Sequence, residues 1–376
     1  MSRYTYNEKY DKGIEKQLEI VKDILIKETK PISIVLFGGF GKGEGMVDKN
    51  GKPLNDFDIY VVGRKRLSDE ECDRLSVKCS TALGRGGLDF VEHADEEYDE
   101  DKFFHVDIRF IDYDKVGKLL PTQRTFELKN SSQIIYGEDI FNKIPDIEVP
   151  DSDAIRILFN KMDHLLLCEN KINKKIKMIY IMKSYLDLCS ALLAYKGDFY
   201  GHYTKRNEVF KKTDFPEDLK KKIDWANNFR RNPDFDKYDI KKEWNEAKHW
   251  VGYAFKYIIN GKFNCGDDWE SIAKAVYYKL PYSYFNPYLK SRYLFFGQYY
   301  LTLKYILKCW GRGNFIVKPL FSWRDFGLRI AVPLFLYLNN EEKLAEKYLK
   351  KLTFKSEPLR NKILDLYGGY YLQKLI

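Results

Sequence analysis

Paired cysteines are missing from this chain of 376 residues. Its six cysteines, Cys72, Cys79, Cys168, Cys189, Cys265 and Cys309, are scattered, and none forms a CxxC pair. That excludes a zinc ribbon and a disulfide scaffold and fits reduced thiols. No run of about 18 uncharged apolar residues occurs, so no membrane span is expected. The opening stretch from Met1 to Glu8 has no apolar core, so no secretory signal is expected and a cytoplasmic location is. Three nucleotide-binding signatures are also missing. Gly39 and Gly41 are followed by Glu44 where a dinucleotide fingerprint needs its third glycine. Lys42 is followed by Gly43, not by the Ser or Thr of a phosphate-binding loop. No HRD or DFG triplet marks a protein kinase.

Core-forming residues are plentiful. Apolar residues make up 44% and aromatics 16%, which excludes a mainly disordered chain. At roughly 150 residues per domain the length suggests two or three domains. Charge is divided unequally. Residues 1–150 carry 23 basic and 30 acidic residues, a net of −7, and the remainder carries 41 and 25, a net of +16. An acidic first part suits metal ions and a basic remainder suits a polyanion.

Hydrophobic periodicity predicts a helix over 8–29, carried by Ile14, Leu18, Val21 and Leu25 and ended by Pro31. A buried strand over 32–37 runs into a glycine-rich turn over 38–45. A second strand spans 56–62, and Ser68 with Glu71 forms a capping box for a helix reaching about Leu83. Leu88–Val91 and Phe103–Phe110 read as further strands, with the acidic Asp95–Asp101 as a solvated loop between them. Beyond Pro145–Pro150 the pattern is helical: 153–169, 172–196, 217–229 and 241–260. The fold expected is α+β, an N-terminal mixed β-sheet flanked by helices followed by an all-α region. Its expected segments are 1–147, 148–265 and an aromatic-rich 266–376.

Alternation along a strand puts Asp56 and Asp58 on one face and turns Phe57 into the core. Asp107, on a paired strand, can converge on them. Carboxylates so close repel one another unless cations lie between them. Mg²⁺ favours such oxygens and binds substrate phosphates as well, so the pattern fits a two-metal phosphoryl or nucleotidyl transfer site. Gly38 and Gly39 let the backbone approach a phosphate, and Lys42 stands nearby. Glu44 reads as a solvated loop acid and His105 as a packing residue. The alternative for Asp107 is a pairing with Arg109, two residues on.

A strand, Gly38-Gly39, a loop, Asp56-x-Asp58 and the distant Asp107 together resemble the nucleotidyltransferase superfamily related to DNA polymerase beta, over about residues 20–140. That superfamily includes antibiotic, poly(A)-adding and CCA-adding enzymes and minimal members. Tyr136-Gly137-Glu138 resembles the segment that often closes such domains. The resemblance implies transfer of an NMP from an NTP to an acceptor hydroxyl on a small molecule, sugar or protein, with two Mg²⁺ (or Mn²⁺) ions held by Asp56, Asp58 and Asp107. An RNA 3′ end is the alternative acceptor, and a catalytically silent nucleotide-binding protein is the alternative class. The family usually carries Gly-Ser where this chain has Gly38-Gly39. The resemblance further implies a helical domain that helps to bind the nucleotide, with Lys183, Tyr203 and Arg206 as candidates and Asn160 and Lys161 as weaker ones. The interleaved rings and cations over 277–305 fit either a helical core or a surface for RNA or a phosphorylated glycan. Arg230-Arg231, Lys220-Lys221-Lys222 and Lys350-Lys351 read as solvated faces.

Overall fold

The computed structural model describes residues 2–85, 104–169, 174–279, 326–350, 358–361 and 363. The expected strand Leu88–Val91, the Asp95–Asp101 stretch and nearly all of 277–305 lie outside the described residues. The chain forms two compact units, each discontinuous in sequence. The first comprises Met1–Val149, Cys168–Cys189 and Asp198–Ile240, and the second Pro150–Leu167, Ser190–Gly197 and Lys241–Ile376.

The first unit opens with α1 (Glu8–Thr29), whose N-terminus is capped by the Asn7 side chain accepting from the Lys9 N–H. Its apolar stripe, Ile14, Leu18, Val21 and Leu25, is buried. Lys30 ends it in the left-handed region, just ahead of Pro31. There follow β1 (Ser33–Phe37), α2 (Gly38–Gly41), β2 (Phe57–Gly63), α3 (Asp69–Ala82), β3 (Val106–Asp112), α4 (Gln123–Asn130) and β4 (Gln133–Gly137). Ser68 and Glu71 cap α3 reciprocally, as their spacing predicts.

The strands form one mixed sheet in the order β3-β2-β1-β4. β1 is antiparallel to β2 and to β4, while β2 and β3 run parallel. A parallel neighbour needs a crossover, and α3 lies within it. One face of the sheet buries Ile34, Leu36, Phe57, Ile59, Val61 and Ile108 with the stripe of α1. The other buries Val35, Tyr60, Val62, Val116 and Leu128. Two expectations need correction. The stretch after β1 is not simply a turn: Gly38 takes a positive φ of 64° and the chain then winds one helical turn. The strand expected from Phe103 to Phe110 begins at Val106 and ends at Asp112. Its position is fixed by α3, where the Ser80 and Ser76 hydroxyl oxygens accept from the Val106 and Ile108 N–H groups at 3.0 and 3.1 Å. Those serines satisfy donors that a sheet edge would otherwise leave bare.

In chain order the helices beyond are α5 (Asp151–Leu167), α6 (Lys174–Lys196), α7 (Tyr203–Phe210), α8 (Glu217–Arg231), α9 (Ile240–Phe263), α10 (Trp269–Lys279), α11 (Phe326–Leu338) and α12 (Glu342–Leu349). Lys174–Cys189 of α6, with α7 and α8, belongs to the first unit. Among its described residues the second unit's regular secondary structure is helical. Its core stacks Phe255 on Phe335 and sets Phe159 edge-on to both. Trp244 of α9 donates from Nε1 to the Leu165 carbonyl of α5 at 2.8 Å. Among the described residues no helix is long and apolar enough to cross a membrane.

Phe57 is the packing residue nearest the acidic positions. It is fully buried between Phe40 and Phe104, edge-on to both. Phe57→Ala is expected to cost about 3–5 kcal/mol, read as a lowered urea midpoint for the first unit.

Candidate active site

The strand register sets Asp58 directly beside Asp107 on the parallel pair β2 and β3. Residues paired in register point to the same face, so the two carboxyl groups neighbour each other. Gly38 makes room for the first of them. A Cβ at Gly38 would collide with Asp58 Oδ2, and the positive φ there is one that side-chain-bearing residues rarely adopt. Asp56 sits one residue before β2. Its Oδ1 is buried without a hydrogen bond; His105 Nδ1 lies 3.3 Å away, at ion-pair distance but outside hydrogen-bond geometry.

Burial, followed by repulsion from Asp107 and from Asp56, pushes the Asp58 carboxyl up to about 6. Lys183 of α6 and Arg109 offset part of that shift by their positive charge. Lys183, read as a nucleotide ligand, is half-buried and placed where its charge reaches Asp58.

Asp107 is the exception to convergence. Its Oδ2 accepts from Arg109 Nε at 3.1 Å, and Arg109 Nη2 lies at ion-pair distance, also 3.1 Å, from the same face two residues along. The alternative foreseen for this residue is therefore the arrangement found. Among the described residues no three His, Cys, Asp or Glu side chains make a group able to hold a metal ion. The donor chemistry still fits a hard cation: an orphaned buried oxygen on Asp56, a carboxyl on Asp58 that resists ionising, and Asp107 in register beside it.

The glycine-rich segment departs further from expectation. Lys42, read as a phosphate ligand, is buried, and its Nζ lies 2.7 Å from Glu127 Oε1 of α4. Arg206 of α7, read as a nucleotide ligand, pairs with the same Glu127 oxygen and is 1% exposed. Tyr203, read likewise, has its ring facing Lys42, Arg230 and Arg206 at 4.3, 4.7 and 5.1 Å from the centroid. Lys42 and Arg206 are committed to a buried charge cluster, with the half-buried Tyr203 ring against it. The physical reason is burial: a cation out of water needs an anion or a ring beside it. Glu44, expected as a solvated acid, is buried as well. Its two oxygens accept from the Tyr203 and Thr204 N–H groups, at 2.8 and 2.9 Å, at the start of α7. Arg230, expected on a solvated face, is 3% exposed and donates from Nε to the Glu44 carbonyl at 2.9 Å.

Of the expected site residues, the structure brings Gly38, Asp56 and Lys183 near Asp58, with Asp107 in register beside it but paired to Arg109. Gly39 lies between this group and the buried cluster, with Asn55 and Arg230 against it. The side chains of Asn160 and Lys161 lie outside those described. Sequence reasoning missed Glu127, whose only trace is an acid next to Leu128 in a short helix. The chain matches no protein-family model and no curated protein sequence.

Burial favours the neutral acid at Glu127, but Lys42 and Arg206 outweigh it and hold the carboxyl down to about 2, from 4.5. Its contribution to stability is therefore present above pH 4.5 and lost as the pH falls toward 2. Glu127→Gln strands two buried cations, and a cost of roughly 3–5 kcal/mol is expected at pH 7. Urea unfolding should show that cost shrinking below pH 4.5. Asp58 has the opposite sign. The folded protein holds this proton more tightly than the unfolded chain, so the site costs stability above about pH 6. In metal-free buffer Asp58→Asn is expected to gain about 1–3 kcal/mol at pH 8 and to lose that gain toward pH 4. Thermal midpoints at the two pH values check this.

Proposed function

We propose that this chain is a divalent-metal-dependent nucleotidyltransferase that moves an NMP from an NTP to an acceptor hydroxyl. The observation that carries the reading is the side-by-side placement of Asp58 and Asp107 on parallel strands, under a glycine that leaves room for one of them. In the transfer, the acceptor oxygen forms a bond to the α-phosphorus and the α–β phosphoanhydride bond breaks. Pyrophosphate leaves, and the hydroxyl proton passes to a carboxylate.

Asp56 and Asp58 would hold the cations, and Asp107 would complete the set on releasing Arg109. Bound Mg²⁺ supplies Lewis acidity, lowering the pKa of the acceptor hydroxyl and neutralising charge on the phosphates. Asp107 orients that hydroxyl and takes its proton. Lys183 holds positive charge beside Asp58 and opposes its protonation. Gly38 keeps the approach to Asp58 free of side-chain atoms.

The Asp107–Arg109 pair supports a second reading, a nucleotide binder without turnover, because an acid committed to a guanidinium is not a free ligand. One assay separates the two. Wild type and Asp58→Asn each meet α-phosphate-labelled NTPs, Mg²⁺ and a cell extract, which is then divided into RNA, protein and small-molecule fractions. Label in one fraction, reduced to background in the variant, is the expected result and names the acceptor class. Nucleotide binding without label in any fraction favours the binder. An RNA acceptor, which the net charge of +16 on residues 151–376 suits, should also show binding that weakens steeply with salt. Independently of turnover, Mg²⁺ should raise the thermal midpoint of wild type at pH 8 and leave that of Asp58→Asn unchanged.

A further inference from the structure

The buried cluster behind the glycine turn contains three basic side chains, Lys42, Arg206 and Arg230, and two acidic ones, Glu44 and Glu127. Burial lowers the pKa of the Lys42 amine. Glu127 is shared by Lys42 and Arg206. Glu44 has both oxygens committed to backbone N–H groups. Arg230 is thus a buried guanidinium with no carboxylate paired to it among the described residues. Its Nε is committed to the Glu44 carbonyl and its face lies on the Tyr203 ring. Its Nη groups donate no hydrogen bond among the described residues.

The position of those groups is specific. Nη2 occupies the space that a Cβ on Gly39 would take, and Asn55 Nδ2 borders the same space at 3.2 Å. Asn55 is itself held, its Oδ1 accepting from the Met46 N–H at 2.8 Å and its Nδ2 donating one hydrogen to the Asp56 carbonyl at 3.2 Å. Two N–H-bearing side chains therefore meet at Gly39, one residue from the glycine that makes room for Asp58. Leaving a buried guanidinium without an acid is costly unless an anion completes it. A guanidinium fork matches phosphate oxygens in pairs.

We propose that Arg230, steadied by the Tyr203 ring and the Glu44 carbonyl, binds the polyphosphate chain of the nucleotide at Gly39, with Asn55 as the second donor. This rests on the nucleotidyl-transfer reading for the identity of the ligand, and it assigns the phosphate contact to α8 instead of to Lys42. The absence of a side chain on Gly39 is what lets the guanidinium reach the turn. A β-carbon there would expel the guanidinium.

The probe is inorganic tripolyphosphate without metal, titrated by calorimetry at low ionic strength. Wild type is expected to bind it. Arg230→Gln should weaken binding about tenfold or more, and Arg230→Lys should recover part of the loss by restoring charge without the fork. Circular dichroism and the thermal midpoint establish that each variant is folded. Failure of wild type to bind, or equal affinity in folded Arg230→Gln, overturns the proposal and leaves Arg230 a packing residue. Where neither variant folds, wild type is treated with phenylglyoxal. Tripolyphosphate should then slow modification of the peptide that carries Arg230, and absence of protection overturns the proposal equally. Transfer of label with Arg230-independent binding sinks this inference alone. Arg230-dependent binding without any label transfer sinks the transferase reading and keeps the phosphate site.

Discussion

A single buried carboxylate, Glu127, holds the first unit's two kinds of structure together. It accepts Lys42 from the segment after β1 and Arg206 from α7, residues distant in the chain. Each of these charges alone would be expensive out of water, and together they neutralise part of that cost. Replacing such a network by apolar side chains of similar volume is often neutral or favourable for stability. Its value here is placement. Only one arrangement of the glycine-rich segment puts Lys42 on Glu127 while Glu44 caps α7. Gly41 and Gly45 enforce the same arrangement, because a Cβ on the first would meet the Leu36 carbonyl and on the second the Phe40 ring. The glycines of this segment serve close packing as much as they serve access.

The acidic positions are built by the opposite logic. Asp58 and Asp107 are set together by backbone register, and nothing in that register offsets their repulsion. The protein meets it with two side chains: Arg109, which takes Asp107 outright, and Lys183, which acts on Asp58 through its charge. Burial first, and then the repulsion that remains, push the Asp58 carboxyl up to about 6. Strain of this kind persists only where the surroundings fix it. The surroundings are rigid: Phe57 between two rings on one side, and the serine-capped edge of β3 on the other.

Local signals in the sequence carried the framework. The stripe of α1, the Ser68 capping box and the alternation around Phe57 each depend on neighbours a few residues apart, and each is found as read. The pairing of Asp107 with Arg109 was visible for the same reason, both lying on one strand face. What escaped were the roles of Lys42, Glu44, Arg206 and Arg230, which distant partners decide. Lys42 and Glu44 sit in a polar, glycine-rich stretch and look solvated until α4, α7 and α8 close over them. Arg230 and Arg231 are adjacent basic residues with opposite fates, the first buried and the second exposed. The helical phase of α8 separates them, but only the position of its neighbours says which side is covered.

The two halves of the site are therefore joined through the glycine pair. Gly38 is shaped by the acid in front of it, and Gly39 by the guanidinium behind it. A change at either glycine is transmitted to the other, since both lie in the same helical turn with the backbone conformation of Gly38 fixing the direction of Gly39. A β-carbon on Gly38 would displace Asp58, and one on Gly39 would displace Arg230 and with it the contact to the Glu44 carbonyl. Negative charge and positive charge are thereby held one residue apart without meeting. That separation suits a ligand with anionic groups at one end and a cation-dependent reacting centre at the other. It also explains why the segment tolerates so little side-chain volume, independently of any chemistry carried out there.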